Sequence, residues 1–177
     1  MQKQIIFRES INKNDINIVK DILSSTGFFF DYEIAVGVEL VESAITNGYE
    51  KSGYYFLFAD TLDKKTIGYT CYGPIACTRD SYDLFWIAVH SDFQKYGIGS
   101  ALLKETEKKI LAMNGAQVYI ETSNKEQYKS TRAFYIKNGY IQEALLKEFY
   151  GPNDDKIIYS KNLRKIAEFK KTDTDKK

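Results

Sequence analysis

Two prolines, two cysteines and one histidine are all that this 177-residue chain carries of those residue types. Two thiols, Cys71 and Cys77, close at most one bridge, so the fold is no disulfide scaffold, and free thiols fit a cytoplasmic protein. Cys71 falls in an expected strand and reads as a small buried hydrophobe rather than a nucleophile. A lone histidine, His90, cannot build a multi-histidine centre, and the cysteines lack zinc spacing, so no metal is expected. An excess of charge of either sign is missing too. A net charge of +1 leaves no basic field to gather nucleic acid. No apolar run approaches the roughly 20 residues that cross a bilayer, and Met1-Gln2-Lys3-Gln4 opens no signal core. What is plentiful is aromatic, with 14 Tyr and 11 Phe. Length and a hydrophobic content of 44% suffice for one globular domain with a sizeable core.

Patterning places the elements. Ile5 to Glu9 reads as a strand, and Asn14 or Asp15 as the cap of a helix with Ile16, Val19, Ile22 and Leu23 at helical spacing. A second helix is expected from Asp31 to Thr46, ended by Asn47-Gly48. Tyr54 to Ala59 and Thr66 to Tyr72 form a hairpin about Asp63-Lys64-Lys65. A strand over Leu84 to Val89 precedes a helix with Ile98, Leu102, Thr106, Ile110 and Met113 on one side, stopped at Asn114-Gly115. Then come a strand over Gln117 to Thr122, a helix over Thr131 to Asn138, and strands over Ile141 to Tyr150 and Lys156 to Asn162. The final residues 164–177 are charged and read as a disordered tail.

The segment with most chemical content joins that central strand to its helix: Gln94-Lys95-Tyr96-Gly97-Ile98-Gly99-Ser100. Gly97 and Gly99 lack a Cβ, so the backbone can turn tightly and approach a ligand. Amides from Lys95 to Ser100 would then stand unpaired at a helix start, where free N–H groups and the dipole's positive end favour an anion. A pyrophosphate fits. A dinucleotide loop would need a third glycine three residues after Gly99, and Leu102 stands there.

With strand and helix on either side, Gln94 to Gly99 resembles the Gln/Arg-x-x-Gly-x-Gly/Ala signature of the GCN5-related N-acetyltransferase (GNAT) superfamily. The element order is similar as well, over about residues 5–163. The resemblance implies an α+β fold, an α/β/α sandwich whose mixed, largely antiparallel sheet carries helices on both faces, with residues 1–163 as the GNAT domain. It implies acetyl-CoA as cosubstrate. Backbone groups of Ile87, Ala88 and Val89 would pair with its pantetheine arm. Its pyrophosphate would rest on the segment Gln94, Lys95, Tyr96, Gly97, Ile98, Gly99 and Ser100.

A second stretch, Phe134-Tyr135-Ile136-Lys137-Asn138-Gly139-Tyr140, resembles the family's Phe/Leu-Tyr-x-x-x-Gly-Phe/Tyr segment. Tyr135 is thereby the implied general acid at the CoA sulfur, with an aromatic core residue as the alternative. Tyr128 and Thr131 stand where the family often has Asn and Ala. Asp83 occupies the place of a carboxylate base in some members, Glu121 is its rival, and His90, read as exposed, a third candidate. Alternation groups Asp83 with Phe85, Ile87 and Val89 on one strand face.

The activity implied is direct transfer of acetyl to a primary amine. The acceptor expected is a small amine or amino acid, framed by Tyr32, Tyr72, Trp86 and Tyr150. Gly53 to Ala59 and Cys71 to Ile75 are similar to a bacterial branch associated with D-alanine N-acetylation. A protein N-terminus or lysine as acceptor, and a non-catalytic CoA-binding sensor, are the alternatives. Neither nucleic acid nor membrane is an expected partner, and the resemblance allows a homodimer.

Overall fold

The computed structural model describes residues 4–164. The expected charged tail lies outside the described residues, apart from Arg164. Seven strands form one sheet in the order β1-β2-β3-β4-β5-β7-β6. The neighbours β4 and β5 run parallel, while β1–β2, β2–β3, β5–β7 and β6–β7 are antiparallel. This is the mixed, largely antiparallel α+β arrangement that the resemblance implies. No helix among the described residues is long and apolar enough to cross a membrane. The chain packs as two compact units, one from residues up to Gly73 with Phe85–Thr106, the other from Pro74–Leu84 with the residues from Glu107 on.

In the first unit β1 (Ile5–Arg8), β2 (Tyr55–Thr61) and β3 (Thr66–Pro74) stand beside the second half of β4 (Ser81–Val89). Helices α1 (Asn14–Ser25) and α2 (Asp31–Asn47) cover one face. There Val19, Ile22, Leu23 and Val41 meet Phe56, Phe58, Tyr69, Cys71 and Ala88. The first part of α4 (Ile98–Ala112) covers the other face, where Thr106 and Thr70 share a buried hydrogen bond of 2.7 Å. Strand β3, buried from Ile67 to Gly73, therefore shows no polar alternation: both of its faces carry helices. A one-turn helix α3 (Tyr49–Ser52), too short to leave a periodic signal, leads into β2.

Asp15 does not cap α1. Lys13 holds the N-cap position without a side-chain bond, and Asp15 is fully buried. Its carboxylate accepts the Asn12 N–H at 2.8 Å and pairs with Arg8 at 2.9 Å, and Arg8 also reaches Asp60 at 3.0 Å. Burying a carboxylate is costly unless it is paired, and the guanidinium of β1 supplies the pairing. A helix-cap pattern read locally cannot see that partner.

The second unit holds the first half of β4, then β5 (Gln117–Ser123), β7 (Asp154–Asn162) and, at the sheet edge, β6 (Ile141–Gly151). The later part of α4 and α5 (Lys129–Lys137) belong to it. Tyr82 lies against Gly115, and a Cβ there would come within 2.6 Å of the Tyr82 ring. Lys161 of β7 bonds both carboxylate oxygens of Glu107 on α4, at 2.7 and 2.8 Å, and the Asn138 carbonyl at the end of α5, at 2.9 Å. Strand β6 is irregular. Its register against β7 shifts between Gln142 and Ala144 and again between Leu146 and Gly151, and Glu148 takes a left-handed φ of 52°.

Candidate active site

The glycine loop from Gln94 to Ser100 lies in the first unit. After Val89 the chain passes His90 and a single turn at Ser91–Phe93 and enters Gln94 in extended form. Lys95 and Gly97 then adopt φ of 66° and 81°. A Cβ on Gly97 would meet nothing within 4 Å, so glycine is needed there for the backbone turn and not for space. Lys95 takes the same left-handed region with a side chain, at a cost of about 1 kcal/mol. The Gln94 side-chain amide donates to the Val89 carbonyl at 3.1 Å and ties the loop to its strand. Helix α4 opens with Ala101 N–H donating to the Gly97 carbonyl at 3.0 Å. The amides of Ile98, Gly99 and Ser100 precede that first helical bond and have no carbonyl within the helix to serve. Buried Ile98 anchors the turn, while Tyr96 is exposed. The turn falls at Gly97 as the sequence suggests, while the second left-handed residue is Lys95 and not Gly99.

The second unit carries the acid–base candidates. Asp83 sits inside β4 rather than before it, in the stretch where Ser81, Tyr82 and Asp83 pair with Gln117, Val118 and Tyr119. Half-burial pushes its carboxyl up, the Glu121 carboxylate adds to this, and Lys156 pulls it back. Glu121 is partly exposed and bonds Lys156 at 2.6 Å. Tyr135 of α5 is buried among rings, with Phe134 at 5.3 Å and Tyr140 and Tyr159 at 6.0 Å. Burial pushes its phenol well above the ordinary value, so Tyr135 holds its proton at neutral pH and can only donate it. Tyr159 pairs with Ile120, and Asp83 with Tyr119, so Tyr135 and Asp83 stand on opposite faces of this ladder.

Several expectations change. Tyr72 is buried and stacked on Tyr55, and Trp86 packs with Phe29 into the α1–α2 core. Of the four framing aromatics, Tyr32 and Tyr150 remain exposed. His90 is not exposed: its Nδ1 accepts the Asp92 N–H at 3.3 Å and its Nε2 lies 3.7 Å from Asp21. In the second unit Tyr82 packs beside Ile110 of α4, and in the first Trp86 packs on the α1–α2 side. Lys156 and Phe149 escaped the sequence reading, because only the β5–β7 register brings Lys156 to Glu121 and only the folded β6 lays Phe149 on Lys156.

The sequence model of the "Acetyltransferase (GNAT) domain" matches residues 50–142, a span holding the loop, α4, β5 and α5. The chain belongs to the GNAT acetyltransferase family. Among solved structures it is 40% identical to a Desulfovibrio desulfuricans protein assigned to the GNAT family, covering 90% of this chain and 99% of that one, with a TM-score of 0.87. At 19% identity and a TM-score of 0.70, the fold is shared with an aminoglycoside 6'-N-acetyltransferase complexed with coenzyme A, over 89% of this chain and 97% of that one. It is shared also with the ribosomal-protein-S18-alanine N-acetyltransferase of Escherichia coli, at 18% identity, 90% and 94% coverage and a TM-score of 0.68. A comparison with curated proteins finds no match. In this GNAT chain Arg132 of α5 donates to the Ser123 and Lys125 carbonyls at 2.9 and 2.8 Å, holding the helix of Tyr135 to the end of β5.

Proposed function

We propose that the protein transfers acetyl from acetyl-CoA directly to the primary amine of a small molecule, with amino acids such as D-alanine among the acceptors. The observation that carries this is the loop whose left-handed Lys95 and Gly97 present the amides of Ile98, Gly99 and Ser100 as an anion cradle. Such a cradle fits the pyrophosphate of the cosubstrate, and Ile87, Ala88 and Val89 on the preceding strand supply backbone for its pantetheine arm. Gln94 and Tyr96 belong to the same binding segment. When bound, the cosubstrate supplies an activated acetyl thioester.

The protein's own residues have two tasks. A free α-amine titrates near about 8 and a lysine amine near about 10.4, so an acceptor arrives largely as the ammonium ion. Asp83, its carboxyl raised by burial and by Glu121, is suited to take that proton. Tyr135 carries its proton at neutral pH, and it is the group we assign to give one to the leaving thiolate; the assignment rests on its motif and not on its raised pKa. No covalent intermediate on the enzyme is required if thioester and amine are held side by side.

Release of free thiol from acetyl-CoA across D- and L-amino acids, polyamines, aminoglycosides and short peptides tests the reading. Turnover is expected with small monoamines. Turnover confined to peptides would move the acceptor to a protein, and none at all, with CoA still bound, would favour a sensor. Gly97→Ala is a second test, and it is expected to cost about 1 kcal/mol in urea unfolding, since φ of 81° strains any side chain. By calorimetry it should weaken CoA binding at least about tenfold, because relaxing the strain turns the cradle amides away. Undiminished CoA affinity would remove the loop from the site.

A further inference from the structure

One cation in the second unit has no place in that scheme. The Lys156 side chain is only 9% exposed, its Nζ bonds the Glu121 carboxylate at 2.6 Å, and the same Nζ lies 3.6 Å from the centre of the Phe149 ring. Ladder register sets the neighbourhood. Asp83 pairs with Tyr119, Glu121 follows two residues along β5, and Lys156 pairs with Ser123 of the same β5 face. Side chains of register partners project to the same side, so Asp83, Glu121 and Lys156 share one face. Phe149 reaches the cluster from the irregular stretch of β6, beside left-handed Glu148.

A buried lysine that served packing alone would be replaced by an apolar chain at little loss. Here it stands beside two carboxylates that would otherwise repel each other. Two carboxylates and one ammonium leave the cluster one negative charge, enough to attract one acceptor ammonium and too little for a polycation.

We propose that Lys156 is a positioning residue of the acceptor side: its ammonium, clamped between Glu121 and Phe149, sets the charge that Asp83 and Glu121 present to an incoming amine. In the step this serves, an N–H bond of the acceptor ammonium breaks, an O–H bond forms on Asp83, and the electron pair stays on nitrogen. The functional half rests on the reading of Asp83 as base, whereas the charge-setting half does not. The charges acting on Asp83 are Glu121 of β5 and Lys156 of β7. Nearby, Glu143 of β6 is bonded to Ser160, and Asp80, ahead of the strand, pairs with Arg164. From β5, Tyr119 faces Asp83 as its register partner.

Carbon-detected NMR titration of the side-chain carboxyls, assigned with Asp83→Asn, follows Asp83 without any turnover. Lys156→Met should raise its midpoint by about 0.5 to 1 unit, Glu121→Gln should lower it, and Lys156→Arg should return it toward the parent value. The opposite signs are the signature, because a packing defect has no reason to produce them. Shifts of one sign, or none, overturn the proposal. Should Lys156→Met fail to fold, Glu121→Gln decides alone: an Asp83 midpoint that does not fall overturns it. The profile of kcat/KM against pH is the second readout. Its acid limb should move up with Lys156→Met, costing up to about tenfold in rate one unit below the parent limb. A limb that stays while the NMR midpoint moves overturns Asp83 as base but not the charge-setting by Lys156, so the two failures are distinguishable.

Discussion

Tyr135→Phe is expected to leave the fold intact and to lower kcat about a hundredfold, the smaller end of what a positioned proton donor contributes. Phenylalanine keeps the ring among Phe134, Tyr140 and Tyr159 and removes the hydroxyl alone. Burial holds the phenol protonated far above neutrality, so the loss should be the same at pH 6 and pH 9, roughly, with the shape of the profile unaltered. Steady-state thiol release beside thermal unfolding of the same sample makes the measurement. An unchanged kcat would return Tyr135 to the aromatic core as a packing residue.

The largest stability effect is expected at Lys161→Met. Removing the ammonium strands the Glu107 carboxylate, whose side chain is 12% exposed, and leaves the Asn138 carbonyl without its donor. Breaking a buried pair on one side costs about 3 to 5 kcal/mol, on the order of 10 °C in Tm for a chain of this size. The double variant Glu107→Leu with Lys161→Met should recover most of that loss, since an apolar pair of similar volume needs no charge to be matched. Urea unfolding of the single and double variants separates the two cases. A single variant within about 1 kcal/mol of the parent would mean that water reaches the pair. Because Lys161 also holds the end of α5, the single variant should lose activity with stability, and the double variant regain stability first.

These two residues mark how far the sequence could be read. Tyr135 was legible because a local motif carries it: ring, spacing and the closing Gly139 lie within one helix and its end. The place of the glycine loop was legible for the same reason, with Ile98, Leu102, Thr106 and Ile110 announcing α4 by their spacing. Lys161 and Lys156 were not, since each becomes a buried cation only through partners, Glu107 and Glu121, that lie 54 and 35 residues away. Asp15 was misread as a cap because its partner Arg8 belongs to a strand. Trp86 and Tyr72 read equally as pocket walls or as core, because aromatic residues suit both, and only packing separates them.

The interruptions in β6 bear on how the protein behaves when crowded with copies of itself. As one of the sheet's two edge strands it spans 11 residues and exposes Ile141, Leu145, Leu146 and Phe149, the length and composition on which a foreign strand could assemble. Two register shifts and the left-handed Glu148 cut its free row of amides and carbonyls into pieces of a few residues. Each piece is too short to template a long ladder, so the kinks that bring Phe149 over Lys156 also blunt this edge against the addition of a further strand.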